Sequence, residues 1–221
     1  VHKFFSASFV LARVDHGQES LGRRVVYSRN DLIEYSPFTE KHAGQPSPTI
    51  GELCDAAVTL SDNTAANLLL RSFGGPAALT AYLRSLGDPV TRLDRYEPAM
   101  NDVGPGDPRD TTTPVAMLRD MQKLLLGSAL SPASRKQLIA WMLGCRTGGQ
   151  RLHAGLPGSW REGDKTGTGP AINNSVNDAA IVWPPRRAPI LVTAFYAFSR
   201  EPDAQREAVL ASAGRLVAQA V

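Results

Sequence analysis

The sequence predicts an α+β protein, a helical body followed by an antiparallel sheet with flanking helices. Three observations predict it. Capping residues and apolar positions at helical spacing recur up to about residue 144. Beyond residue 150 the texture changes to short β-branched runs separated by turn residues. Those connections are too tight for a parallel crossover, which leaves antiparallel pairing.

Residues 1–144, with a long loop at about 88–112, are expected to form a mostly helical domain; 145–221 would supply part of an α/β domain. Three strands make a small sheet for so much helix. The chain also opens inside an apolar-periodic stretch (Phe4, Ala7, Val10, Leu11, Val14) with no capping residue ahead of it. Further strands and a helix are therefore expected before Val1.

Taken in order, residues 3–15 read as an amphipathic helix ending near His16-Gly17, with Lys3 in its first turn. Residues 20–48 are turn-rich and carry Tyr35-Ser36-Pro37 and Gln45-Pro46-Ser47-Pro48. Thr49-Ile50-Gly51-Glu52 makes a capping box that opens the next helix. Ser61-Asp62-Asn63 interrupts it, and a second helix runs to about Ser72 before Gly74-Gly75. Short polar side chains compete for backbone hydrogen bonds, so this triplet taken alone is a helix cap. Pro76 fits the first helical position of a helix that Gly87 ends.

From 88 to 112 the helical pattern disappears, and four prolines (Pro89, Pro98, Pro105, Pro108) accompany several Asp and Asn residues. A loop this long in a compact domain is usually functional or disordered. Arg95 and Asp110, near its two ends, can pair to close it as an Ω-loop. Glu97 precedes Pro98 and so leaves helical geometry. Thr113-Pro114 and Ser131-Pro132 each restart a helix, ended by Gly127 and Gly144. Strands are predicted over 159–168, 178–183 and 190–198, and a terminal amphipathic helix over 204–220.

Composition narrows the function classes. With 43% hydrophobic and 20% charged residues and a net charge of +3 without a basic run, the chain lacks the clustered cations of a nucleic-acid binder. No apolar run reaches transmembrane length. Its two cysteines, Cys54 and Cys145, have no metal-ligand spacing, so no metal is expected; by default they read as two buried thiols, with a bridge between them as the alternative. No cofactor is expected.

Each candidate site residue is bland by itself: a cap, a loop acid, surface lysines. In order, however, Lys3, Ser61-Asp62-Asn63, Glu97-Pro98-x-x-Asn101 and Asp164-Lys165-Thr166-Gly167-Thr168-Gly169 make a constellation. With it the chain resembles, over essentially its whole length, a class A β-lactamase, whose motifs are Ser-x-x-Lys, Ser-Asp-Asn and Lys-Thr-Gly with a loop glutamate. The resemblance implies the β-lactamase/transpeptidase-like fold and hydrolysis of penicillins or cephalosporins through a serine acyl-enzyme. It implies a periplasmic monomer whose partner is a β-lactam substrate or covalent inhibitor.

One motif departs from the family. No Ser-x-x-Lys exists here, since Ser6 and Ser8 are followed three residues on by Phe9 and Leu11. Lys3 sits where the motif lysine belongs, so the serine is expected immediately before Val1, cut away or, preferably, carried in covalently modified form.

The resemblance also implies roles. Lys3 or Glu97 acts as the base for acylation, Ser61 relays a proton to the leaving nitrogen, and Lys165 supplies positive charge. Glu97, oriented with Asn101, activates the deacylating water. Asn63, Thr166, Gly167, Thr168 and Tyr35 line the substrate, the Thr168 N–H in an oxyanion hole. Asp62, Arg95 and Asp110 are supports. Arg151 is a candidate guanidinium for the substrate carboxylate, since Asp178-Ala179-Ala180 lacks the arginine other members use. Gly169 replaces the cysteine typical of carbapenemases in the family, and Ala7 stands where Cys54 would need a disulfide partner. The alternative on this fold is a penicillin-binding DD-peptidase or β-lactam sensor, which acylates without efficient deacylation.

Overall fold

The computed structural model describes residues 1–44 and 46–221; of the turn at 45–48, Gln45 lies outside the described residues. Helix α1 (His2–Asp15) is the centre of the helical body, packed by α2 (Ile50–Thr59), α3 (Asn63–Ser72), α4 (Gly75–Ser85) and α6 (Pro132–Leu143). It is not amphipathic in the expected sense. Positions 3–8 and 10–12 are all buried, because neighbours surround the helix instead of flanking one face. Phe4, Phe5, Ala7, Val10 and Leu11 join Leu53, Leu69, Leu79 and Met117 in the main core.

The caps form where local chemistry demands them. The Thr49 hydroxyl accepts from Glu52 N at 3.1 Å while Glu52 accepts from Thr49 N at 2.7 Å, the reciprocal capping box. Asp62 caps α3 through Ala65 N at 2.8 Å, Thr113 caps α5 (Pro114–Met121) and Ser131 caps α6. At α4 the N-cap is Gly74, so Pro76 falls at the second helical position, one later than expected. Helix α5 runs on through a π-helical turn, Gln122–Leu126, before Gly127.

Strands β1 (Arg161–Thr168), β2 (Val176–Trp183) and β3 (Ile190–Tyr196) form an antiparallel sheet in sequence order. Lys165 pairs with Ala179 and Thr166 with Asp178. Ala179 and Ile181 face the helical body and belong to its core. The opposite face, with Ala180 and Val182, packs under Leu152 of a short helix α7 (Leu152–Gly155) and under α8 (Asp203–Gln219). Helices α7 and α8 touch through glycine: a Cβ on Gly155 would lie 1.9 Å from the Ala211 carbonyl. Among the described residues, no helix is long and apolar enough to cross a membrane.

Candidate active site

Ser61 sits between α2 and α3 with φ of 59°, in the left-handed region that non-glycine residues rarely occupy. That conformation turns both its carbonyl and its hydroxyl toward Lys3. The Lys3 ammonium donates to Ser61 O at 2.7 Å, Ser61 Oγ at 3.2 Å and Asn63 Oδ1 at 2.5 Å, and lies 3.3 Å from Glu97 Oε1. An ammonium has three N–H donors, so four acceptors share three protons. Burial lowers the Lys3 pKa, opposed by the Glu97 carboxylate.

Lys165 reaches the same hydroxyl from β1, with Nζ 3.2 Å from Ser61 Oγ. It is fully buried, and burial, with the charge of Lys3 adding, brings it down to about 8. Thr166, its neighbour, is buried and shares a 2.5 Å hydrogen bond with Thr147 Oγ1, to which Cys145 Sγ is joined at 3.3 Å. Cys54 is buried as expected, but Cys145 is only half-buried, and both are free thiols.

Asp62 turns away from this cluster. Wholly buried, it accepts from Phe38 N at 3.0 Å, Thr39 N at 2.9 Å and Thr39 Oγ1 at 2.9 Å as well as from Ala65 N. It thereby pins the 33–39 loop, in which the Tyr35 carbonyl accepts from Asn63 N at 3.0 Å and the Tyr35 ring is exposed. Asn63 also donates from Nδ2 to Glu34 O at 2.9 Å, which leaves one N–H of its amide free.

Glu97, 7% exposed, is delivered by the 88–112 loop, which Arg95 closes by donating to Asp110 at 2.6 Å. Asn101 Nδ2 donates to Glu97 Oε2 at 2.5 Å. The loop is stitched to α3 by Asn67, which donates to Glu97 O and accepts from Glu97 N, each at 2.9 Å. Asn67 is missing from the predicted site, although its place one helical turn after Asn63 puts both on one face.

Thr168 is exposed at the end of β1, while Gly167 lies against Val1: a Cβ there would come within 3.0 Å of Val1 N. Arg151 is 5% exposed behind them, donating to Gly167 O at 2.8 Å, Asn177 O at 2.9 Å and Thr168 Oγ1 at 2.8 Å, with Glu207 at 3.2 Å from Nε. It braces the strand end and meets the cleft through the Thr168 hydroxyl. A cavity of about 470 Å³ runs between the 88–112 loop and the sheet, reaching the cluster at Val1, Asn101, Gly167 and Thr168. Lys3, Ser61, Asn63, Glu97, Asn101 and Lys165 are thus brought together, with Asp62, Arg95, Asp110 and Arg151 in the elements behind them, whereas Tyr35 meets the cluster only through its main-chain carbonyl. Among the described residues, no group of three or more His, Cys, Asp or Glu is arranged to hold a metal.

The family model for the beta-lactamase enzyme family matches residues 1–221. Beta-lactamase OXY-1 of Klebsiella oxytoca is 43% identical over 98% of this chain and 74% of its own length. The carbapenem-hydrolyzing beta-lactamase KPC of Klebsiella oxytoca is 45% identical over 97% of this chain and 72% of its own. A solved ancestral class A beta-lactamase (GNCA) superposes with a TM-score of 0.97 at 59% identity, covering 100% of this chain and 84% of that one. On the site geometry, the family match and the superposition together, the chain belongs to the beta-lactamase enzyme family and to its class A.

Proposed function

We propose that the protein hydrolyses the β-lactam ring of penicillins and cephalosporins through a serine acyl-enzyme and so confers antibiotic resistance. The observation that carries this reading is the convergence of Lys3 and Lys165 on the Ser61 hydroxyl, with Glu97 3.3 Å from Lys3. The reading holds provided that a serine precedes Val1, as the family's Ser-x-x-Lys motif implies from the place of Lys3; Val1 N itself lies against Gly167, beside these groups.

Each group then has a chemical task. Lys3, its pKa lowered by burial, takes the serine proton as the hydroxyl attacks the lactam carbonyl. The oxyanion is held by the serine and Thr168 N–H groups; losing one such donor typically costs about 10²–10³ in turnover. As the C–N bond breaks, the ring nitrogen takes a proton from Ser61, which Lys3 resupplies. Lys165 and the Thr166 and Thr168 hydroxyls receive the substrate carboxylate, Arg151 reinforcing them from behind, and Asn63 and Tyr35 border the acylamino side chain. In the second half, Glu97, steadied by Asn101 on its Ω-loop, takes a proton from the water that attacks the ester; the acyl C–O bond then breaks and the proton returns to the departing serine oxygen, which frees both residues for the next cycle. Asp62, Arg95 and Asp110 hold this frame; no cofactor takes part. The protein acts as a monomer in the bacterial periplasm on a small-molecule β-lactam or covalent inhibitor, without nucleic-acid or membrane partners, as the class A resemblance implies.

The test is hydrolysis of a chromogenic cephalosporin and a penicillin by the full-length protein, with the serine before Val1 intact and changed to Ala. Many turnovers that vanish in the Ala variant are the expected result. A single stoichiometric burst would assign the chain to a penicillin-binding peptidase or sensor, and no acylation at all would overturn the reading.

A further inference from the structure

The turn between β1 and β2 carries a side chain with no part in the scheme above. Asn173 is 7% exposed, and its Nδ2 donates to Asn101 O at 2.8 Å and Val103 O at 3.2 Å, across 72 and 70 residues of chain. Its Oδ1 accepts from Ser175 N at 3.2 Å and Ser175 Oγ at 3.0 Å. A carboxamide has two N–H donors and two acceptor sites, so all four are used. Its main-chain oxygen accepts from Phe198 N at 2.6 Å, which anchors the turn to the segment after β3. Among the described residues, these two Nδ2 bonds are the only hydrogen bonds between the 169–175 turn and the 88–112 loop.

We propose, resting on the acyl-enzyme reading above, that Asn173 is a positioning residue for deacylation. Its carboxamide holds the backbone of Asn101, whose own side chain holds Glu97, in register with the Thr168 end of β1. Gly169 belongs to the same device. A Cβ there would fall 1.9 Å from Asn173 Oδ1 and 2.4 Å from Ser175 Oγ, so any side chain at 169 evicts the carboxamide. Lys3, Ser61 and Lys165, which act in acylation, do not touch this turn, and the Thr168 N–H at its edge serves both steps alike; the Glu97–Asn101 pair, whose task is deacylation, is the part of the site that the Asn173 carboxamide holds. Displacement of about 1 Å far from the bond being broken can cost on the order of 10²-fold.

The experiment measures acylation and deacylation separately on the full-length protein, by single-turnover kinetics and intact mass, for Asn173→Ala, Asn173→Asp, Gly169→Ala and the Gly169→Ala/Asn173→Ala double variant. Asn173→Ala is expected to leave the acylation rate constant within about twofold and to slow deacylation about tenfold or more, so that acyl-enzyme accumulates. Asn173→Asp, which points a carboxylate at two carbonyls, should be slower still. The double variant should match Asn173→Ala alone, because both changes break one tie. Equal losses in both steps would mark a merely structural residue and overturn the proposal, as would unchanged deacylation in a wild type that turns over. A wild type that never acylates would overturn the acyl-enzyme reading first, and this one with it.

Discussion

The Lys165 ammonium and the Ser61 hydroxyl meet at 3.2 Å, the same distance at which Lys3 approaches that oxygen from the opposite element. Two cations on one hydroxyl in a buried pocket repel each other, and Lys165 yields: burial first, then Lys3, bring it down to about 8, against the opposing pull of Cys145, Asp164 and Asp178. Its positive charge is therefore present below about pH 8 and lost above it. If that charge receives the substrate carboxylate, KM should rise as pH climbs through about 8, with kcat changing less. Lys165→Arg keeps its charge at every accessible pH and should flatten that limb of the profile. A KM profile that stays level for the wild type up to about pH 10 would rule out this role.

Glu97 and Asn101 share a 2.5 Å hydrogen bond, and among the described residues nothing else accepts from the Asn101 side-chain amide. Glu97→Gln preserves shape but removes the base, so acylation should persist while deacylation falls by about 10²–10⁴. Mass spectrometry after mixing with a penicillin should find the protein as a covalent adduct. An unmodified mass with slow turnover would place Glu97 in acylation instead.

What could be read from the chain divides along the range of the interactions. The Thr49 box, the Thr113 and Ser131 caps and the Asp62 cap are settled within four residues, so composition alone locates them. The motif residues were legible because the chemistry fixes their types. The partners of Asp62 in the 33–39 loop, the double hydrogen bond of Asn67 and the tie through Asn173 were not, since each joins segments 23 to 72 residues apart. The burial of α1 on all sides was hidden for the same reason: which faces are covered depends on helices that arrive later in the chain.

Asp62 makes the frame of the site measurable as stability. Asp62→Ala would strand Phe38 N, Thr39 N and Ala65 N in the interior. An unsatisfied buried donor costs about 1–3 kcal/mol, and a total on the order of 3–5 kcal/mol lowers Tm by roughly 10 °C in a chain of this size. Asp62→Asn, which still accepts through one oxygen, should lose less. A thermal melt within about 2 °C of wild type for the Ala variant would contradict this accounting.

A carboxylate pair, Asp88 and Asp120, lies at the base of the 88–112 loop and should govern how stability varies with pH. Asp88 accepts from Val90 N at 2.7 Å and Thr91 N at 3.1 Å at the loop's entry, and although burial pushes its pKa up, these bonds hold it below the usual carboxylate value. Asp120 of α5 is wholly buried beside it, with neither carboxylate oxygen partnered among the described residues. Burial first, then Asp88, push Asp120 up to about 7, opposed by Lys123 and Arg84; the Asp120 charge in turn adds to burial in raising the Tyr82 hydroxyl. Unfolding returns Asp120 to 3.8, so between the two values the native state binds the extra proton. Stability should then fall as pH rises from about 4 to 7 and level off above it. Asp120→Asn removes the proton from this account. It should raise Tm by a few degrees at about pH 8, where the wild type carries the buried charge, and change it little at about pH 5. Wild-type and Asp120→Asn melting curves that stay parallel across that interval would show that Asp120 ionises as an ordinary carboxylate, and that the loop's anchor does not titrate there.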